Sequence, residues 1–309
     1  IGPFASKDVP FWEVTHANMP ILASSEFQAI VGLGPIPPHV KLMSPGSPRN
    51  NESYALVLRK LDLLRYSICL SRAPGGAGYL TWMDDNQINN PGLFRELKVI
   101  DQTYWMAKMT DVKLGDMPFT LCRSGCGAII DSGTSLLAVP KKTFKKLAPI
   151  IGKLGDQSGC DVTSLPDIHF KLDGKHFSMP PDSYIGVVTG DVPTALVQNF
   201  EVKMNASCQA ALMAMDLPST VGDTWVLGVP FLRNYLTIFE QGPKPTIHTA
   251  QANTDCQVAT GKELMLHGER RTARTIDASS LHLPQWLHKA KQLGSLETRV
   301  KGKRVARSA

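Results

Sequence analysis

Apolar residues arrive in this chain in short runs, and each run is closed within a few positions by Gly, Pro, Asn or Asp. Sustained helical periodicity is scarce before residue 250. Such punctuation favours short strands joined by tight turns, because Gly and Asn reach turn backbones and Pro interrupts helices and central strands. The expected fold class is mostly β. Ala29 to Gly34 reads as a buried strand ending in glycines. Tyr66 to Ser71 and Gly78 to Trp82 flank Pro74-Gly75-Gly76 as a hairpin. Tyr104 to Met109 begins a strand that Asp111 to Leu114 continues. Ile168 to Leu172 and Phe177 to Met179 surround the hairpin signal Asp173-Gly174. Trp225 to Gly228 and Tyr235 to Phe239 close the series, with a helical turn at Phe231 to Asn234. One short helix is expected from Pro140 to Leu147, with Phe144 and Leu147 on one face.

With 43% hydrophobic residues among 309, the chain can bury a core of two units. Its charge of +6 is unevenly placed. Residues 251–309 hold 11 Lys/Arg and 5 Asp/Glu, whereas residues 1–250 hold 22 of each. The body is neutral, so the basic balance does not argue for nucleic-acid binding. From Leu283 onward, Trp286, Leu287, Ala290, Leu293 and Leu296 recur at helical spacing among Lys289, Lys291 and Arg299. This predicts either a solvated tail or one basic amphipathic helix, the latter giving the only route to membrane contact. No apolar run approaches the length of a membrane span, and no signal peptide is visible at Ile1.

The chemistry-bearing feature is Asp131-Ser132-Gly133-Thr134, reached through the apolar run Ala128-Ile129-Ile130. A strand delivers a carboxylate to a glycine turn with hydroxyls on both sides. Glycine permits a tight backbone and close approach of a ligand. Backbone N–H groups and the Thr134 hydroxyl are positioned to orient the carboxylate. Alone, the tetrapeptide is ordinary turn chemistry. There is no Gly-x-Ser-x-Gly elbow, no Walker A loop and no His-Glu-x-x-His. Cys122-x-x-x-Cys126 lacks a second ligand pair with metal spacing, so neither metal nor cofactor is expected.

An ordered series of segments resembles the pepsin-like aspartic proteases over residues 10–245. Phe27 to Gly34 is similar to that family's Phe-Asp-Gly-Ile-Leu-Gly-Leu-Gly, and Ser67 to Thr81 to its Ser-x-x-Leu-Ser-Arg hairpin. Tyr104-Trp105 matches the opening of the second lobe. Ala128 to Ser135, Leu165 to Phe170, Trp225 to Gly228 and Phe231 to Tyr235 follow at the family's spacing. The resemblance implies a bilobal pepsin-like fold with an incomplete N-terminal lobe over residues 1–98 and a complete C-terminal lobe over 99–250, followed by the tail at 251–309. It implies an aspartic endopeptidase working through two carboxylates and a water, with Asp131 as the second-lobe member. Ser132 would bond across to the other lobe's loop. Gly133 and Thr134 would support the carboxylate and touch the substrate backbone. Tyr104, Ile129 and Val226 would wall the primed-side pocket, although core packing explains these three equally well. The implied partner is an extended polypeptide held by a monomer, in a secreted or lysosome-like endomembrane compartment. The disulfides implied are Cys122–Cys126 and Cys160–Cys208; Cys69 and Cys256 have no counterpart in the family, and Cys69, within a strand, reads as a buried thiol. The sequons at Asn51 and Asn205 become candidate glycosylation sites.

The pattern also breaks. Asp131-Ser132-Gly133 is the only Asp-Ser/Thr-Gly in the chain, whereas the family requires an earlier one. The expectation is a truncated chain that is inactive alone; the alternative is an inactive pepsin-fold protein that binds peptides. Gln28-Ala29 replaces the family's Asp-Gly, and Val229-Pro230 stands where many relatives carry an acid near the second catalytic loop. The latter change argues against a strongly acidic pH optimum.

Overall fold

A computed structural model of the chain describes residues 30–35, 58, 61–73, 75–192, 200, 208–217, 219, 221–260 and 273–281. These form three sheets. The first has the order β2 (Gly78–Trp82), β1 (Arg65–Leu70), β13 (Tyr235–Glu240), β14 (Thr246–Gln251) and β3 (Arg95–Lys98), antiparallel throughout. The second has seven strands: β11 (Leu212–Ala214), β6 (Leu137–Val139), β12 (Thr224–Leu227), β5 (Cys126–Ile130), β4 (Met106–Leu114), β7 (Ile168–Leu172) and β8 (Lys175–Met179). The third is small, with β10 (Gln209–Ala210), β9 (Ile185–Thr189) and β15 (Arg274–Asp277). Three helices, α1 (Asn86–Asn89), α2 (Lys141–Ser158) and α3 (Val229–Asn234), complete the described elements apart from single 3-10 turns.

The mostly β expectation holds. Both hairpins form, with Asp173 and Gly174 at φ 47° and 77° in the left-handed geometry their turn requires. Strands from both sides of the boundary placed at 98 share one sheet, β1 pairing with β13 and β3 with β14. Tyr66, Trp105 and Phe239 pack where that sheet meets the seven-stranded one. Their ring centroids are 5.1 Å apart for Tyr66–Phe239 and for Trp105–Phe239.

Several expectations need correction. The helix expected over 140–147 runs on to Ser158, with Pro149 inside it. Its buried stripe of Phe144, Leu147, Ile151 and Gly155 packs across β10 and β11, and that packing outweighs the local breakers. Gly155 serves close approach: a Cβ there would lie 3.1 Å from the Cys208 Cβ. Cys69 is not a thiol but is bonded to Cys256, with Cα atoms 5.6 Å apart. The chain after β14 folds back, bridging Ala252 to Val258 and placing Cys256 beside β1, a partnership between residues 187 apart that no spacing announces.

Ordered structure also passes the expected tail boundary at 250. β15 pairs in parallel with β9, and Ala278 and Leu281 are buried. Apolar residues at Ile276, Ala278 and Leu281 give this segment something to bury, despite its polar neighbours. Finally, Ile30 and Val31 are not in a buried strand; they are 54% and 50% exposed, with no strand beside them among the described residues. The expected helix from Leu283 and the sequons at Asn51 and Asn205 lie outside the described residues.

Candidate active site

β5 is buried along its whole length and ends at Ile130, so the chain must turn at Asp131 where the sheet stops. It returns as β6, and β12 fits between the two, parallel to β5 and antiparallel to β6. This interleaving fixes the loop from both sides. The Ile130 N–H donates to the Trp105 carbonyl at 2.9 Å, and the Asp131 N–H to the Leu227 carbonyl at 3.1 Å. The Val229 N–H donates to the Thr134 carbonyl at 2.8 Å. Gly228 is required by contact: a Cβ there would come within 2.2 Å of the Thr134 carbonyl oxygen and 2.3 Å of that of Leu136.

The carboxylate is oriented by its own loop. The Gly133 N–H donates to Asp131 Oδ1 at 3.0 Å, and the Thr134 hydroxyl to Oδ2 at 2.6 Å. Thr134 is fully buried, so its hydroxyl has no competing water, while Asp131 keeps partial access to solvent. Ser132 and Gly133 are exposed, and the Ser132 hydroxyl meets no partner among the described residues. The result is a fixed carboxylate at the end of a central strand, beside a hydroxyl that no described residue engages.

Of the three residues expected to wall the primed-side pocket, Ile129 and Val226 are register partners on β5 and β12, at 3% and 0% exposure. They pack in an apolar cluster with Met106, Leu136, Met213, Ala278 and Leu281. Tyr104 is half-buried beside that cluster, before β4 begins; its phenol is raised above the usual range by burial and then by the charge of Asp101. Cys122–Cys126 closes a small loop at the start of β5, and Cys160–Cys208 joins the end of α2 to the strands it covers. The Leu33 carbonyl accepts from Trp105 Nε1 at 2.7 Å and from the Tyr66 hydroxyl. The Ile30–Gly34 stretch is thus tied to the residue whose carbonyl supports Ile130. Sequence reasoning did not single out Trp105 or Gly228 as supports of the loop; their only signal was membership of Tyr104-Trp105 and Val226-Leu227-Gly228. No group of His, Cys, Asp and Glu among the described residues is arranged to hold a metal.

Residues 1–252 match the family model described as eukaryotic aspartyl protease. This chain belongs to that family. Mouse cathepsin D is 31% identical over 242 residues, which cover 75% of this chain and 54% of that protein. Bovine pepsin A is 28% identical over 183 residues, 57% of this chain and 45% of the relative. Human napsin-A is 28% identical over 252 residues, 78% of this chain and 55% of the relative. The chain spans about half the length of the curated relatives it matches. As a member of the family it has the mostly β, bilobal pepsin-like fold, and the β5–turn–β6 unit with β12 between bears Asp131. No helix among the described residues is long and apolar enough to cross a membrane.

Proposed function

We propose that the chain carries the second-lobe half of an aspartic endopeptidase's catalytic apparatus, with Asp131 as its carboxylate. The observation that carries this reading is the two-donor cradle: one carboxylate oxygen held by the Gly133 N–H and the other by the buried Thr134 hydroxyl. In such an enzyme two carboxylates face each other. One takes a proton from the attacking water, and the other polarises the scissile carbonyl and helps protonate the leaving amine. Ser132, exposed and unpartnered among the described residues, supplies the bond to the opposing loop. Exposed Gly133 meets the substrate backbone, whereas Thr134, expected to touch it too, is fully buried and serves only to hold the carboxylate; Tyr104 borders the primed side, with Ile129 and Val226 behind it. The substrate is an extended polypeptide, and the three disulfides fit a secreted or endomembrane compartment.

The proposal includes the inactivity of these 309 residues alone, since they hold one Asp-Ser/Thr-Gly. Assayed on an extended peptide, the chain is expected to show no pepstatin-sensitive hydrolysis. A chimera that joins it to the N-terminal part of mouse cathepsin D, bearing an Asp-Thr/Ser-Gly, is expected to hydrolyse the same peptide and to lose that activity in D131N. A folded chimera without activity, or an equally active D131N, overturns the reading.

A further inference from the structure

A second concentration of polar groups, whose lining includes Ser135 and Leu136 just past the Asp131 loop, does not include the Asp131 carboxylate itself. A cavity of about 940 Å³ is bordered by the β1–β2 loop, α3 and β15. Among the described residues lining it, three carry guanidinium groups, Arg72, Arg233 and Arg274, against the single carboxylate of Asp182. Two of the arginines are engaged. Arg274 Nε stands 3.6 Å from Asp182 Oδ2, and Arg274 Nη2 donates to the Arg72 carbonyl at 2.7 Å. Arg72 Nη2 donates to the Ala252 carbonyl at 3.1 Å.

Arg233 differs. Its Nε is enclosed without an acceptor, and no ion pair or hydrogen bond holds it among the described residues. Burial and the neighbouring Arg274 charge push its guanidinium down to about 10, against the opposing pull of Asp182. Across the same cavity Asp182 Oδ1 is enclosed without a donor. The site therefore presents one unmatched cation and one unmatched acceptor, and an enclosed polar group without a partner is costly. A lone inorganic anion satisfies the first but offers Asp182 no N–H. An acidic peptide offers both, a side-chain carboxylate and a backbone donor. The cavity has the volume of a site for a sizeable ligand rather than an ion. Arg274, Thr275 and Ile276 line it from β15, the terminal strand of its sheet, whose second edge is unpaired among the described residues.

We propose that this cavity binds an acidic polypeptide segment, pairing a carboxylate with Arg233 and giving a backbone N–H to Asp182. The site does not depend on the proteolytic reading, and its test measures binding alone. The full chain is titrated calorimetrically at low salt with a capped Gly-Glu-Glu-Gly peptide, its Gly-Gln-Gln-Gly counterpart and inorganic phosphate. Saturable binding of the Glu peptide is expected, with the Gln peptide and the R233Q variant each weaker by about tenfold or more, the size of a lost charge-assisted pair. R233Q is expected to melt no lower than the parent, because Arg233 has no partner among the described residues. If R233Q does not fold, R233K, which keeps the charge and loses the two-pronged fork, is expected to show a smaller loss. Attraction to the basic residues of 251–309 would be unmoved by either variant, and that outcome overturns the proposal. So does equal binding of the two peptides, or binding of phosphate alone.

Discussion

Val226-Leu227-Gly228 and Ile30-Val31-Gly32 are nearly the same tripeptide, two aliphatic residues and a glycine, yet they end in opposite states. Val226 and Leu227 are 0% and 1% exposed, between β5 and β6. Ile30 and Val31 are about half exposed, and no strand lies beside them among the described residues. Gly228 presses against two carbonyl oxygens, whereas a Cβ on Gly32 would meet nothing within 4 Å. Aliphatic pairs of this kind suit a pleated surface, but burial comes from neighbours. For Val226 those neighbours are the Asp-bearing strand and the apolar cluster that includes Ala278 and Leu281.

The contrast is sharpest for side-chain truncation. Leu227→Ala is expected to cost about 2–5 kcal/mol in urea unfolding, through lost burial and a residual cavity. Ile30→Ala is expected to cost less than about 1 kcal/mol, because half its surface is already in water. Equal losses would break the comparison. Next in size, Gly228→Ala forces the loop carbonyls apart and is expected to cost about 1–3 kcal/mol, against a change within about 0.5 kcal/mol for Gly32→Ala.

Within the Asp131 loop the same test applies to its two hydroxyls. Thr134→Val removes a donor to the carboxylate and is expected to cost about 1–2 kcal/mol, while Ser132→Ala, which removes no bond among the described residues, stays within about 0.5 kcal/mol. The smallest effect concerns the cover over the Val226 cluster. The Ser279 hydroxyl and N–H hold the Asp277 carboxyl below its usual range at the end of β15. Because the folded value is the lower one, this support is full above the ordinary carboxylate range and is lost as pH falls through the depressed value. The protection factors of β15 amides, exchange rates corrected for their intrinsic pH dependence, are expected to fall on acidification in the parent and not in D277N.

Much of the sheet arrangement was legible. Turn chemistry at Asp173-Gly174 and at the Gly75-Gly76 loop marked both hairpins, and the run Cys126 to Ile130 marked the strand that delivers Asp131. The disulfides at Cys122–Cys126 and Cys160–Cys208 were legible through resemblance. The helix read as ending at Leu147 runs on through Pro149 and Gly155, two local helix breakers accommodated by packing across β10 and β11. Cys69–Cys256 and the burial of Leu281 were not legible, since both depend on segments far apart in sequence meeting across a sheet.

By itself the sequence determined the short strands, the glycine turn and the identity of the one carboxylate in that turn, because turn backbone and apolar runs are properties of a few consecutive residues. Only the tertiary structure decided that Thr134 is sealed from water while Ser132 is not, that Val226 is covered while Val31 is exposed, and that Arg233 meets no partner among the described residues. Each of those outcomes rests on which distant chain arrives alongside, and solvent exclusion belongs to the assembled neighbours rather than to any one segment.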